Sequence, residues 1–443
     1  MKKFFDTIKN IFSIEELKNR ILYTLAFLVI FRLGSYIVLP GLDTQLLSQG
    51  GAKGVLAMID ILLGGAFSRA SVFALGIMPY ISASIVIQLM TVAVPYFQRM
   101  QKEGESGRKK VNQITRVLTI FITFVQSSAY IAGTIPTEAI IIDKFFFTVS
   151  SMIILTSGTI FCMWLGEKIT DKGIGNGISM LIMIGIVSRF PGALVAESLS
   201  RGSTGLLWFL IELVALFLVV MGVILLTQAV RKIPIEYTKQ VISGKRKGVS
   251  QVGQRSYLPI KVNSAGVMPI IFAQSLMFLP PLLASLFPDN DLAQWMYTNY
   301  SDFRSVAYNV TFALMIILFT FFYTAITVNP TQISDDMKRN NGFIPDVKPG
   351  EETSEYISNV IDRVTLSGAV FLSLVAIMPS FAGAAGISVE FSQFYGGTSL
   401  LIMVGVILDT LQQIESYLLM KEYDGMMASG NIRDGSKSEV GVL

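Results

Sequence analysis

Apolar residues in this chain come in long unbroken runs rather than in alternation. Stretches without a charged side chain cover 70–98, 117–137, 145–166, 262–288, 305–334 and 364–389, and slightly shorter ones cover 173–188, 213–230 and 391–408. A tenth run, 21–42, is broken only by Arg32. A helix needs about 20 mostly apolar residues to cross a hydrocarbon core of about 30 Å. The shorter runs reach that length with uncharged or singly charged neighbours. Continuous runs lack the period-two pattern of a barrel strand, so the spanning elements are helices, which satisfy their own backbone in lipid. The pattern predicts ten of them. One apolar stretch, 55–68 (VLAMIDILLGGAFS), is too short to span and contains Asp60, Gly64, Gly65 and Ser68. It reads either as an external loop helix or as a re-entrant half-helix, which is tolerated only where it packs on protein or lines a cavity.

Composition agrees with a membrane chain. Of 443 residues, 52% are apolar and 15% charged, where a soluble domain carries about 25% charge. Mean hydropathy is +0.59. There is no histidine and the single cysteine is Cys162, which excludes structural disulfides, zinc sites built on Cys or His, and His-based general-base catalysis. The expectation is a chain without a cofactor.

The net charge of +4 is uninformative until the basic residues are placed. With ten spans, 28 of the 35 Lys and Arg fall on the side of the termini. Six (Lys53, Arg69, Lys144, Arg189, Arg201 and Arg304) fall opposite, and Arg32 lies within the first span. By the positive-inside rule both termini are expected in the cytoplasm. Residues 1–20 interleave five basic residues with Phe and Ile and read as an amphipathic surface helix, not a cleaved signal.

The largest cytoplasmic segments are 231–262 and 329–358. The first contains Lys245, Arg246 and Lys247 between Gly244 and Gly248, the look of a hairpin tip. The second contains Lys338, Arg339 and Lys348, the last before Pro349-Gly350. Such loops serve either as orientation signals alone or as docking surfaces for an acidic partner. The expected organisation is an amphipathic terminus (1–20), a first half of five spans (21–200, with 55–68 between spans), a second half of five (201–418) and a tail (419–443). An even division is compatible with an inverted repeat, although the halves share no evident sequence similarity.

Within the spans ionisable groups are few: Arg32, Glu212, Asp409 and Glu415. An ion-coupled transporter places several acids at mid-membrane, whereas these are expected at interfaces or paired between helices. No phosphate-binding G-x-x-x-x-G-K-[ST] run occurs, and GIGNGIS at 173–179 reads as a tight turn capping the next helix at Asn176 or Ser179.

Several segments together resemble one family. ALGIMPYISASI at 74–85 resembles the second-span signature of SecY, the channel subunit of the bacterial protein translocon, and KEGESGRK at 102–109 resembles the loop after it. WLGE at 164–167 with GIGNGIS, LPIKVN at 258–263, FYTA at 322–325 and GGTSLLI at 396–402 follow in family order along nearly the whole chain. The resemblance implies an all-α polytopic membrane protein: ten transmembrane helices in two pseudo-symmetric five-helix halves, with a re-entrant plug helix. It implies a channel rather than an enzyme, conducting unfolded preproteins across the bacterial cytoplasmic (inner) membrane and releasing membrane segments sideways into the lipid bilayer.

By motif position the resemblance assigns a sealing ring to Ile77, Ile81, Ile182, Ile271 and Ile402, of which Ile77 and Ile81 share a helical face with Ile85. It assigns the plug to Asp60, Gly64, Gly65 and Ser68. A lateral gate between the second and seventh spans would use Ser82, Ser84 and Gln88 against Asn263, Ser264, Gln274 and Ser275, and would part for a signal peptide. Lys245, Arg246, Lys247, Lys338, Arg339 and Lys348 would meet the ribosome and the SecA motor ATPase, and SecE and SecG would be the small membrane partners. The family's usual Arg before Pro-Gly is Lys348 here, which keeps the charge and loses the bidentate fork. A small-solute transporter and a membrane scaffold are the rival readings. The first would need several buried acids or a polar pocket at mid-membrane, and the second would need neither a seal nor a plug.

Overall fold

The computed structural model describes residues 14–43, 60, 63–201, 205–237, 255–277, 280, 281, 284 and 291–428. The spans are α1 (Glu15–Gly34), α2 (Met78–Ala93), α4 (Glu105–Thr134), α5 (Lys144–Lys172), α6 (Gly177–Arg201), α7 (Leu206–Gln228), α8 (Met268–Met277), α10 (Val306–Thr327), α12 (Glu351–Ala384) and α14 (Gly397–Ala428). Seven are long and apolar enough to cross a bilayer by themselves; α1, α2 and α8 occupy the remaining three predicted positions. Between them lie α3 (Pro95–Lys102), α9 (Asp291–Ser301), α11 (Pro330–Arg339) and α13 (Val389–Ser392). Local chemistry sets several helix starts. The Asp143 carboxylate accepts from Phe146 N at the start of α5. Asn329 accepts from Thr331 N and Gln332 N before Pro330 at the start of α11. Asn176 accepts from the amides of Ile178 and Ser179 at the start of α6, as the sequence suggests.

One helix, α4, is apolar outward and more polar inward, the reverse of a helix in a soluble bundle. On α4, Val117, Phe121 and Val125 are exposed, while Thr115, Thr119, Thr123 and Ser127 are buried. Each of those hydroxyls donates to a carbonyl of its own helix, three or four residues back. Small side chains at this spacing let neighbouring helices approach closely without leaving a polar group unpaired. Glu212 is buried and ion-paired between helices, whereas Asp409 and Glu415 are exposed.

One apolar run is longer than its helix. The run 70–98 becomes helical only at Met78, because Gly76 takes φ +50° and Pro79 sits in the first turn. Residues 70–77 form a buried irregular segment tied to the end of α1 by Leu39 N to Ala70 O and Val72 N to Ile37 O. Non-helical backbone at membrane depth is stable only when packed in protein in this way. Within the run 262–288, α8 covers Met268–Met277.

Strands β1 (Val230–Tyr237) and β2 (Arg255–Lys261) pair antiparallel from Val230↔Lys261 to Glu236↔Arg255. The 238–254 tip between them, with Lys245, Arg246 and Lys247, lies outside the described residues. The other cytoplasmic segment supplies β3 (Gly342–Phe343), which pairs with Tyr237 and Glu236, giving sheet order β2-β1-β3. Ile233, Ile235 and Ile260 pack with Met337, Ile344, Ile357 and Ile361. The two loops are one small folded unit, which periodicity alone does not reveal.

Candidate functional site

Near the centre of the bundle, Met78, Ile81, Ile182, Ile271, Gln274 and Ile402 line one cavity. It measures about 10 Å³ over the centres of a water-sized sphere, room for about one water. Four of the five proposed ring isoleucines therefore meet at one point, although they come from α2, α6, α8 and α14. Ile77 is buried in the same core, just ahead of α2, but does not line the cavity. Met78 and Gln274 complete the lining. Met78 lies inside the second-span motif, yet only the turn of α2 aims it inward. Branched aliphatics round a constriction exclude water and ions without binding any particular side chain.

A short segment ahead of α2 is held by arginines. Gly64 and Gly65 take φ +65° and +84°. Gly64 O accepts from Arg32 Nη1 at 2.9 Å and Arg69 Nη2 at 2.8 Å, and Gly65 O accepts from Arg69 Nε at 2.8 Å. The Tyr36 ring lies beneath both guanidinium groups. Asp60 is buried and ion-paired with Arg189 of α6, and its carboxylate also accepts from Ser68 N and Ser68 Oγ at 2.8 and 2.9 Å. A Cβ on Gly64 would meet Gly185 O at 2.9 Å, and one on Gly65 would meet the Arg69 and Arg189 guanidinium groups at 2.6 and 2.7 Å. All four plug candidates thus belong to one fastening between this segment, α1 and α6. The rest of 55–68 lies outside the described residues.

The proposed gate residues do not bond across their seam. Ser82 Oγ donates to Met78 O, Gln88 Nε2 to Ser84 Oγ, Ser264 Oγ to Lys261 O, and Ser275 Oγ to Ile271 O, each within its own segment. Asn263 Oδ1 and Gln274 Nε2 are buried without a partner among the described residues.

The end of α6 is tied firmly to α7 and to the segment after α12. Arg201, at the end of α6, donates to Glu197 Oε1 (3.0 Å), to Glu212 Oε1 of α7 (2.5 Å) and to Gly386 O (2.8 Å). Glu197 Oε2 accepts from Ser388 N, and Tyr395 Oη donates to Glu212 O. At the start of α6, Gly175 N donates to Gln413 Oε1, Ile174 N donates to Thr24 Oγ1, and the Arg20 guanidinium sits over Tyr417. Lys338 and Arg339 are exposed at the end of α11, and Lys348 is exposed beside Glu352 at 3.4 Å.

A helical bundle closed round an apolar waist, with no hydrogen bond across the α2–α8 seam among the described residues, defines a multi-pass helical membrane protein of the protein-conducting-channel fold. A solved structure described as a protein conducting channel matches with a TM-score of 0.65 at 17% identity, covering 94% of this chain and 95% of its own. The canine Sec61 chain in a ribosome–channel complex matches at 0.62 and 16%, with the same coverage. The SecY family pattern matches residues 71–411, and this chain belongs to that family. Curated relatives named protein translocase subunit SecY are 39% identical in Halalkalibacterium halodurans (96% of this chain, 100% of the relative) and 40% identical in Staphylococcus carnosus (95% and 99%).

Proposed function

We propose that this chain is the polypeptide-conducting subunit of a bacterial cytoplasmic-membrane translocon, with both termini in the cytoplasm. The observation that carries the reading is the meeting of Ile81, Ile182, Ile271 and Ile402 from four helices at a waist with room for about one water. At rest this constriction and the segment fastened through Asp60, Gly64, Gly65 and Ser68 close the path. A signal peptide parts α2 from α8, where no cross-seam hydrogen bond has to break among the described residues, and an unfolded preprotein then slides between aliphatic side chains. Membrane segments leave by the same seam into the lipid bilayer. The clasp round Arg201 keeps α6, α7 and the segment after α12 together while the seam opens.

The basic cytoplasmic unit receives the machines that deliver the chain. Lys338, Arg339 and Lys348, with Lys245, Arg246 and Lys247 at the hairpin tip, are the docking residues for the ribosome and the SecA motor. SecE and SecG are the membrane partners.

The test is crosslinking of a stalled export substrate to single cysteines at positions 77, 81, 182, 271 and 402, in a Cys162→Ala background that removes the only native thiol. The expected result is substrate adducts at 81, 182, 271 and 402, with a weaker one at 77. Absence of adducts at these sites, with labelling on the lipid-facing side of α10 instead, would overturn the reading.

A further inference from the structure

The external helix α9 has no role in the channel reading. It lies between α8 and α10, on the side of the membrane opposite the three-stranded sheet, because α8 follows directly from β2. Most of its residues divide by face, and Tyr297, 54% exposed, lies between the buried and the polar sides. Ala293 is buried and Tyr300 half-buried. Asp291, Gln294 and Thr298 share one exposed polar face. Leu292, Trp295 and Met296, at i, i+3 and i+4, share an apolar face, with Leu292 71% and Trp295 55% exposed and Met296 half-buried. Asn299 completes this second face, and its amide is occupied locally: Nδ2 donates to Trp295 O at 2.9 Å and Oδ1 accepts from Ser305 Oγ at 3.3 Å.

The depth of α9 is set by its last turn. The Tyr300 hydroxyl is 3.0 Å from Thr311 Oγ1, in the second turn of α10, and the Trp295 ring packs edge-on against Tyr300 with centroids 6.4 Å apart. The helix is thereby folded back alongside the first turns of α10 instead of standing away in water. α10 itself carries an exposed stripe of Val306, Val310, Leu314 and Leu318 at four-residue spacing, an apolar face suited to hydrocarbon in a spanning helix.

We infer that α9 lies in the outer membrane–water interface, with Leu292, Trp295 and Met296 seated among lipid headgroups and upper acyl chains and Asp291, Gln294 and Thr298 facing water. A short amphipathic helix carrying Trp and Tyr beside the end of a span is suited to that boundary, where one side is apolar and the other wet. Its occupant is the outer leaflet.

The chain has three tryptophans, so Trp164→Phe with Trp208→Phe leaves Trp295 as the only indole. Trp164→Phe with Trp295→Phe leaves Trp208, which is exposed on the first turn of α7, as a lipid-facing reference. Each full-length variant is reconstituted in phosphatidylcholine–phosphatidylglycerol vesicles with bromines placed near the glycerol end or near the middle of the acyl chain. Trp295 emission is expected to be blue-shifted, to lose as much intensity as Trp208 to the shallow bromines and less to the deep ones, and to resist acrylamide. Quenching by acrylamide but not by bromine would overturn the inference by placing the helix in water. Protection from both quenchers would overturn it by showing a protein cover. If the tryptophan variants do not fold, a nitroxide at Trp295→Cys in the Cys162→Ala chain, compared with one at Gln294→Cys, reads the same question. Oxygen access above nickel-chelate access at 295, and the reverse at 294, supports lipid seating; aqueous access at both overturns it.

Discussion

Gln274 is a polar side chain aimed into an otherwise aliphatic waist, with its amide nitrogen buried and without a partner among the described residues. An unsatisfied buried group costs about 1–3 kcal/mol, so the closed state carries a destabilisation that opening relieves. Gln274→Leu is therefore expected to tighten closure. In an export assay, substrates with weak signal peptides should lose transport by roughly tenfold while strong ones pass, since about 1.4 kcal/mol is tenfold in an equilibrium. Unchanged discrimination would remove Gln274 from the gate. Ile402→Asn works in the opposite sense, admitting water to the constriction. It should relax the signal requirement, and unchanged export of a defective-signal substrate would place Ile402 outside the ring. Ile402 was legible from the GGTSLLI motif alone. Met78 and Gln274 as co-lining residues were not, because nothing in a one-dimensional pattern says which side of a ten-residue helix faces a cavity.

At the scale of elements, the fastening of the segment ahead of α2 to α6 matters most. Asp60 and Arg189 are far apart in sequence and meet through folding, and Arg32 and Arg69 hold the backbone of Gly64 from two sides. A charge-assisted contact of this kind is worth about 1.5–3 kcal/mol. Asp60→Ala and Arg189→Ala are each expected to raise the resting ion leak of reconstituted vesicles by roughly tenfold, and the double variant should leak little more than either single one. Fully additive leaks would show that the two side chains do not act as a pair. The sequence marks 55–68 as too short to span and too apolar for an ordinary loop. Its glycines become intelligible only in three dimensions, where positive φ and adjacent guanidinium groups leave no room for a Cβ. The late start of α2 has a similar origin: hydropathy cannot separate a helix from a buried irregular segment of equal polarity, and Gly76 with Pro79 decides between them.

At the scale of the whole molecule, the cytoplasmic segments after α7 and α10 share a sheet and an aliphatic core. Lys338, Arg339 and Lys348 are exposed on that unit. Reversing charge at Lys348 or Arg246 is expected to weaken ribosome and SecA binding without unfolding the unit, since Lys348 is exposed and paired only with a surface carboxylate at 3.4 Å, a contact worth about 0–1 kcal/mol. A pull-down of both partners that is unaffected by either reversal would separate the basic surface from docking.

The chain's own order of residues determined the membrane class, the ten span positions, the orientation expected from 28 basic residues on one side, and the family motifs. These are properties of runs, counts and neighbours, which partition between water and lipid whatever the remainder of the chain does. Tertiary structure decided which isoleucines converge, which arginines grip Gly64 and Gly65, which helix end is clasped and which seam is left without cross-bonds among the described residues, and that two loops form one sheet. Each of these depends on side chains tens to hundreds of residues apart coming within hydrogen-bonding or van der Waals distance, and inside a bilayer that meeting is governed by close packing and polar pairing between helices, for which hydropathy along the chain carries no signal.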